Sequence, residues 1–273
     1  YNAHMSNDHF LHSITVLDTE TTNLIPELAE VVEIAAARWT KTGWNIDSLL
    51  LGAVNGIPPE ASAKNNISNK MIDGLPTFAD SADSIIKLLN WTTSNYYVAH
   101  NAKYDRAVLS HAWKGTTHQK AAKECDDQSK WLCTWRLSQH ILRHEFTDCE
   151  YGLNYLRYKL DLTVKDDIQT HRAGDDTLLC ATLLDYLIAA AIKNRQIDPE
   201  DDVLRQLNEL CWRPIIQTTW PFGKYRGKLL TDLPNDYYAW AFANIPSLNE
   251  SSTDFNSDLA ESVRLVLEER LSD

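Results

Sequence analysis

"ITVLDTETTNL" occupies residues 14–24, and its reading decides how the rest of the chain is read. Ile14, Thr15, Val16 and Leu17 are strand formers, and the run ends in two carboxylates one residue apart, Asp18 and Glu20. Successive side chains on a strand point to opposite faces, so residues two apart share a face. If the strand reaches Glu20, the two carboxylates stand about 6–7 Å apart on the same side. Like charges that close are costly unless a cation or a proton lies between them. An isolated D-x-E is most often an exposed strand end, so the remainder of the chain has to decide.

The chain has 273 residues and a mass of 31.1 kDa, enough to bury a full core in one large domain with room for a small second one. Its apolar and charged fractions are those of a globular protein. No apolar stretch approaches the length of a membrane span and no secretory signal is recognisable, so a cytoplasmic protein without membrane contact is expected. Residues 1–5, YNAHM, read as a tag scar before a native Met5. Five cysteines (Cys125, Cys133, Cys149, Cys180, Cys211) form no C-x-x-C pair, which argues against a disulfide or zinc framework. The net charge of −12 argues against a protein that holds nucleic acid by broad electrostatics alone. Any nucleic-acid contact must be local or assisted by divalent metal.

Beyond the opening strand, residues 30–40 and 44–54 are apolar runs separated by Lys41-Thr42-Gly43, a strand–turn–strand pattern. Residues 78–92 have helical spacing, 96–102 read as a short buried strand, and a helix starts in 104–113. Residues 134–143 and 152–160 read as short helices, and 172–194 is the strongest helix of the chain. Strands first and helices interleaved afterwards predict an α/β fold, a mixed sheet flanked by helices. The expected organisation is a domain over 10–195, a connector over 196–212 and a small C-terminal module over 213–273.

Further polar residues fall where elements change. Asp105 follows the strand of 96–102 within "AHNAKYD", and His171 and Asp176 flank the start of the long helix in "THRAGDD". Four converging carboxylates suit a two-metal phosphoryl site, because magnesium takes oxygen ligands and retains waters. A histidine nearby can accept the proton of an attacking water.

The order D-x-E, N-x-x-x-D, H-x-x-x-x-D resembles the DEDD exonuclease superfamily, histidine subgroup (DEDDh, DnaQ-like), over roughly residues 13–192. "DTETTNL", "YYVAHNAKYDRAVL", the "HRA" before the last aspartate and "FGKYRGK" extend the similarity towards its bacterial exodeoxyribonuclease branch. The resemblance implies an RNase H-like fold and a 3′-5′ exonuclease that uses two Mg2+ (or Mn2+) ions per site. It implies metal ligation by Asp18, Glu20, Asp105 and Asp176, with His171 as general base. Family spacing selects Asp176 over the adjacent Asp175. The tyrosine subgroup is excluded, because its tyrosine position is Arg172. The resemblance also implies substrate contacts by Thr19, Leu24, His100, Asn101 and Arg172, with Leu24 as a wedge against the terminal base and Arg172 on phosphate.

Each of these residues has an ordinary counterpart role. Asp105 could be a helix N-cap, His171 a surface histidine, Asn101 a turn residue and Leu24 plain core. Arg172 could be a solvated arginine, although the dipole disfavours a cation at a helix start. Lys103 and Arg106 are as readily solvated helix-surface charges as phosphate contacts.

In the C-terminal module, "FGKYRGKLL" sets Lys224, Arg226 and Lys228 at alternating positions among Phe222 and Tyr225. Such interleaving suits a nucleic-acid strand. For the fold the favoured reading is a hairpin turned by Gly223 and Gly227 whose aromatics fill a small core with Trp220, Tyr237 and Trp240, and for function the module is a candidate accessory nucleic-acid contact. The expected partner is the 3′ end of DNA, single-stranded or frayed. The alternatives are RNA-end trimming, polymerase proofreading and, from another class, a non-catalytic nucleic-acid binder. A homodimer is compatible with the resemblance but demanded by nothing in the sequence.

Overall fold

The computed structural model describes residues 8–91, 93–143, 150–164 and 171–272. The tag-like residues 1–5 and Cys149 lie outside them. The chain divides into two compact units after Cys211.

The first unit is built on a five-stranded mixed sheet. Strand β1 (Ile14–Thr21) is central, β2 (Val31–Thr40) pairs antiparallel with it and β3 (Gly43–Leu50) antiparallel with β2, and β4 (Tyr96–Ala99) and β5 (Trp131–Cys133) continue parallel on the other side, in the order β3-β2-β1-β4-β5. Ile14 to Leu17 are all buried, as are Val31 to Ala37. Strands covered on both faces need continuous apolar runs rather than alternation. The β2–β3 turn closes with Gly43 at φ +108°, a conformation a Cβ disfavours. β3 stops at Leu50, short of the residue 54 expected. There the chain leaves the sheet and the Gly52 N–H donates to the Pro76 carbonyl at 2.9 Å. A Cβ on Gly52 would lie 2.3 Å from the Leu75 carbonyl oxygen, so only glycine permits that approach.

Helices α1 (Pro59–Asn65), α2 (Asn69–Ile72) and α3 (Ala82–Leu88) lie between β3 and β4, and α4 (Ala102–Lys114) and α5 (Gln119–Asp126) between β4 and β5. They are followed by α6 (Thr134–Ile141), α7 (Leu153–Lys159), α8 (Ala173–Lys193) and α9 (Val203–Cys211). In α8, Ala173, Thr177, Cys180, Ala181, Leu184, Ile188 and Ala191 are buried, the three-and-four spacing of one covered face. That face packs on β1, β2 and β3. The stretch 196–212, read above as a connector, contains α9, which packs on α6 and β5 and whose Cys211 Sγ accepts from the Cys133 N–H at 3.2 Å. Cys125, Cys133, Cys180 and Cys211 are free and buried.

An aromatic cluster anchors the β4 side. Trp91 stacks on Tyr97 at 4.3 Å between centroids, Trp113 meets Phe78 at 4.8 Å and Trp91 at 5.7 Å, and Tyr97 meets Trp131 at 5.3 Å. The second unit has its own core of Trp220, Leu230, Leu233, Tyr238, Ala241, Leu248, Leu259 and Val263. It contains α10 (Asn235–Asn244) and α11 (Ser257–Ser272). Among the described residues no helix is long and apolar enough to cross a membrane.

Trp113 is fully buried, yet its Nε1 has no hydrogen-bond partner among the described residues. Trp113→Ala should therefore cost about 3–5 kcal/mol for the lost packing. Trp113→Phe should cost much less, about 1 kcal/mol, because it also removes an unsatisfied donor. Urea unfolding midpoints of the two variants check the difference.

Candidate active site

β1 pairs with β2 as far as Thr21 but with β4 only over Ile14 to Val16, so its C-terminal half projects past the end of β4. Asp18 and Glu20 stand on that projecting half, on one face as their spacing requires. Asp176 lies in the first turn of α8, and carboxylate oxygens of Asp18, Glu20 and Asp176 lie within 4.8 Å of one another. Asp105, buried in the first turn of α4, is the strongest charged neighbour of Asp18. It stands outside the three-residue group, held by the Thr19 hydroxyl, which donates to its Oδ1 at 2.8 Å. The structure thus gives Thr19, expected on substrate, a buried role in orienting Asp105. Asp175 lies apart from the cluster, on the wall of a cavity of about 460 Å3 with Ile46, Ser48 and Leu178.

Crowding and burial show in the protonation equilibria. Burial, then Asp105, Glu20, Asp176 and Glu33, hold Asp18 well above the usual carboxylate range. Glu20 is pushed up to about 8 by burial and then by Asp176, Glu33 and Asp105, with Lys64 pulling the other way. Asp105 is raised by burial to about 7 against the Thr19 hydrogen bond. Asp176 is raised by burial, an effect opposed by the His171 backbone N–H, which donates to its Oδ2 at 2.9 Å.

His171 itself is exposed, just ahead of α8, with φ +64°. Its ring is accessible, while its backbone fixes Asp176. Asn101 caps the start of α4 at φ +65°, a left-handed conformation that asparagine tolerates better than most residues. His100 points inward: its Nδ1 lies 2.9 Å from the Thr134 hydroxyl, and burial lowers its pKa to about 4. Leu24 is 75% exposed on the loop after β1, so it is not core. That loop is braced by Tyr104, whose hydroxyl lies 2.5 Å from the Thr21 hydroxyl and donates to the Asn23 carbonyl. Arg106 is committed to the Cys125 and Asp126 carbonyls, where it pins α5 instead of facing phosphate.

Glu33 escaped the sequence reading. It is buried on β2 directly opposite Glu20 and accepts from Arg172 Nε at 3.0 Å, Arg172 Nη2 at 2.9 Å and the Ala173 N–H at 3.1 Å. Arg172, expected on phosphate, is instead the forked partner of this carboxylate. The clamp ties the start of α8 to β2, and so sets where Asp176 and His171 stand. The only sequence signal was a lone acid inside an apolar strand.

A mixed sheet with β1 central, carboxylates at its projecting end and one more at the start of the last long helix of the sheet domain defines an RNase H-like nuclease architecture. The chain belongs to the family described as Exonuclease (RNase_T), which matches residues 15–184. Residues 208–244 match a second family, described as a putative quorum-sensing-regulated virulence factor. Exodeoxyribonuclease 10 of Escherichia coli K12 is 26% identical over 86% of this chain and 93% of its own. The DNA polymerase III epsilon subunit of Treponema pallidum is 29% identical over 65% and 77% respectively. Among solved structures, exonuclease X in complex with 5′ overhanging duplex DNA aligns with a TM-score of 0.51 at 24% identity, over 72% of this chain and 99% of that one. Escherichia coli exonuclease I in complex with a dT13 oligonucleotide gives 0.54 at 13% identity, over 67% and 42%.

The donor set fits a hard divalent cation. It offers only carboxylate oxygens, crowded enough to raise their own pKa values, and the nearby arginine is already spent on Glu33. A raised carboxylate favours the folded state below its unfolded pKa, near 4, and that advantage is lost as pH rises through the folded value. In chelator the melting temperature should therefore fall between pH 5 and 8. Added Mg2+ should raise it more at pH 8 than at pH 5. Differential scanning fluorimetry across that range checks both signs.

The clamp yields an ordering. Arg172→Ala leaves Glu33 charged, buried and facing Glu20, and should cost about 3 kcal/mol. Glu33→Gln weakens the same hydrogen bonds but also removes a repulsive charge, and should cost only about 1 kcal/mol. Equal urea midpoints for the two variants would contradict this electrostatic account.

Proposed function

We propose that the chain is a metal-dependent 3′-5′ exodeoxyribonuclease that removes mononucleotides from DNA 3′ ends. The observation that carries this reading is the meeting of Asp18, Glu20 and Asp176 at the end of β1, with Asp105 beside them, in a chain of the exonuclease family. These four carboxylates would hold two divalent ions, Mg2+ or Mn2+. The ions, when bound, supply water activation and stabilisation of the leaving oxygen in an in-line displacement.

The chain's own residues supply the rest. Thr19 orients Asp105, the clamp positions α8, and the His171 N–H holds Asp176. The His171 ring, exposed at the edge of the site, accepts the proton of the attacking water as general base. Leu24, exposed on its braced loop, is placed to meet the terminal base. The similarity to exodeoxyribonuclease 10 runs on beyond the catalytic domain, whereas that to the polymerase subunit covers less of the chain. This favours a DNA enzyme acting by itself over a proofreading subunit.

The test uses matched 5′-labelled DNA and RNA oligonucleotides with Mg2+. The expected result is a 3′-to-5′ ladder on DNA, abolished by chelator and by Asp18→Ala. His171→Ala should lower the rate about 100- to 10,000-fold, the usual contribution of a general base. A ladder on RNA alone would keep the chemistry and overturn the substrate. Binding without cleavage, undiminished in chelator, would overturn the enzyme reading.

A further inference from the structure

The second unit carries three cations that, among the described residues, pair with no carboxylate, and a row of aromatic rings beside them. Its other arginines include Arg264, which is tied to Glu261 and Glu268, and Arg270, which is tied to Asn235 and to the Thr231 and Leu233 carbonyls. Lys224, Arg226 and Lys228 are different. All three are exposed, and among the described residues none pairs with a carboxylate, although Asp232 and Asp236 follow closely in sequence. They stand in a stretch, residues 220–228, that contains no acidic residue in a chain of net charge −12.

Backbone geometry fixes how these cations are presented. The Trp220 N–H donates to the Lys228 carbonyl and the Gly227 N–H to the Trp220 carbonyl, both at 2.8 Å, closing a loop anchored by the buried Trp220 ring. Gly223 at φ +64° and Gly227 at φ +79° make the turns. Tyr225 of this loop meets Tyr237, and Tyr237 in turn meets Trp240. Tyr225 and Tyr237 centroids are 4.4 Å apart, and Trp240 stacks on Tyr237 at 5.6 Å with 26° between planes. Lys224 and Lys228 reach to 5.0 Å and 5.5 Å from the Tyr225 ring centroid. Trp240 is 52% exposed and Phe222, packed edge-on against Trp220, is 37% exposed. The sequence favoured a core role for these aromatics. The structure divides them: Trp220 is core, and Trp240 and Phe222 are surface.

An exposed Trp240 stacked on Tyr237 and an exposed Phe222, together with cations at alternating positions that pair with no carboxylate among the described residues, match the two demands of a single nucleic-acid strand. Bases need flat apolar partners and phosphates need cations. We infer that the Phe222–Lys228 loop and Trp240, in the second unit, form a binding surface for single-stranded DNA. Bases stack on Trp240 and Phe222 while Lys224, Arg226 and Lys228 meet phosphates. The inference rests on the DNA-end hydrolysis proposed above for its choice of strand. In an acidic protein such a surface supplies the local attraction for a polyanion that the overall charge denies.

The test uses the full chain in chelator, with anisotropy of a 5′-labelled oligothymidylate over a range of salt. The variants are Trp240→Ala and the triple change of Lys224, Arg226 and Lys228 to Gln. Turnover of a small thymidine 5′-phosphate aryl ester with Mg2+ is measured in parallel. The triple variant should bind at least tenfold more weakly, with a salt slope lower by about 2, the value for three single-strand phosphate contacts. Trp240→Ala should lose about tenfold in affinity, within the range for one base–ring stack. Ester turnover should be unchanged in both. Wild-type affinity and slope in both variants would overturn the inference. A wild type that turns over neither the ester nor DNA would sink the hydrolase reading instead, while the binding comparison would still stand or fall by itself.

Discussion

Four carboxylates and a fifth behind them share one end of the sheet domain, where Asp18 is repelled by all the others and Glu20 by most of them. Repulsion of that kind is tolerated only where the backbone leaves the groups nowhere else to go. β1 is held by β2 along its projecting half, so Asp18 and Glu20 cannot splay apart. Asp176 sits in the first turn of α8, where the positive end of the helix dipole offsets part of its charge. Asp105 is turned by Thr19. The sheet and its two covering helices are best understood as the frame that this crowding requires.

Glu33 is the counterintuitive member. Another buried acid opposite Glu20 worsens the crowding, yet it is the group that draws Arg172 and the Ala173 N–H down onto β2. The arginine's position at a helix start, unfavourable by the dipole alone, follows from this partner. Local repulsion is accepted there in exchange for a fixed attachment of α8.

The parts of the fold with strong periodicity were legible in the sequence. The period of two put Asp18 and Glu20 on one face, the helical spacing of α8 gave its extent to within a residue, and the turn before Gly43 separated β2 from β3. β5 and α5 were not foreseen, because three residues of strand and a helix with few apolar positions carry little pattern. The site divided in the same way. Residue types with a motif could be named, but which way they face depends on partners far along the chain. Thr19 meets Asp105 and Arg172 meets Glu33 across 86 and 139 residues, and no local rule reports such pairings. His100 turned inward for the same reason, its partner Thr134 lying on a later helix.

The crowded end of β1 also bears on how such a chain drifts. At Asp18 and Glu20, where burial and repulsion by neighbouring acids disfavour the ionised form, a neutral residue of similar shape would fold more comfortably. Random substitution filtered for folding alone would remove these acids before it disturbed the aromatic cluster or the sheet. That both still stand in this chain is the mark of a selective pressure other than the need to fold.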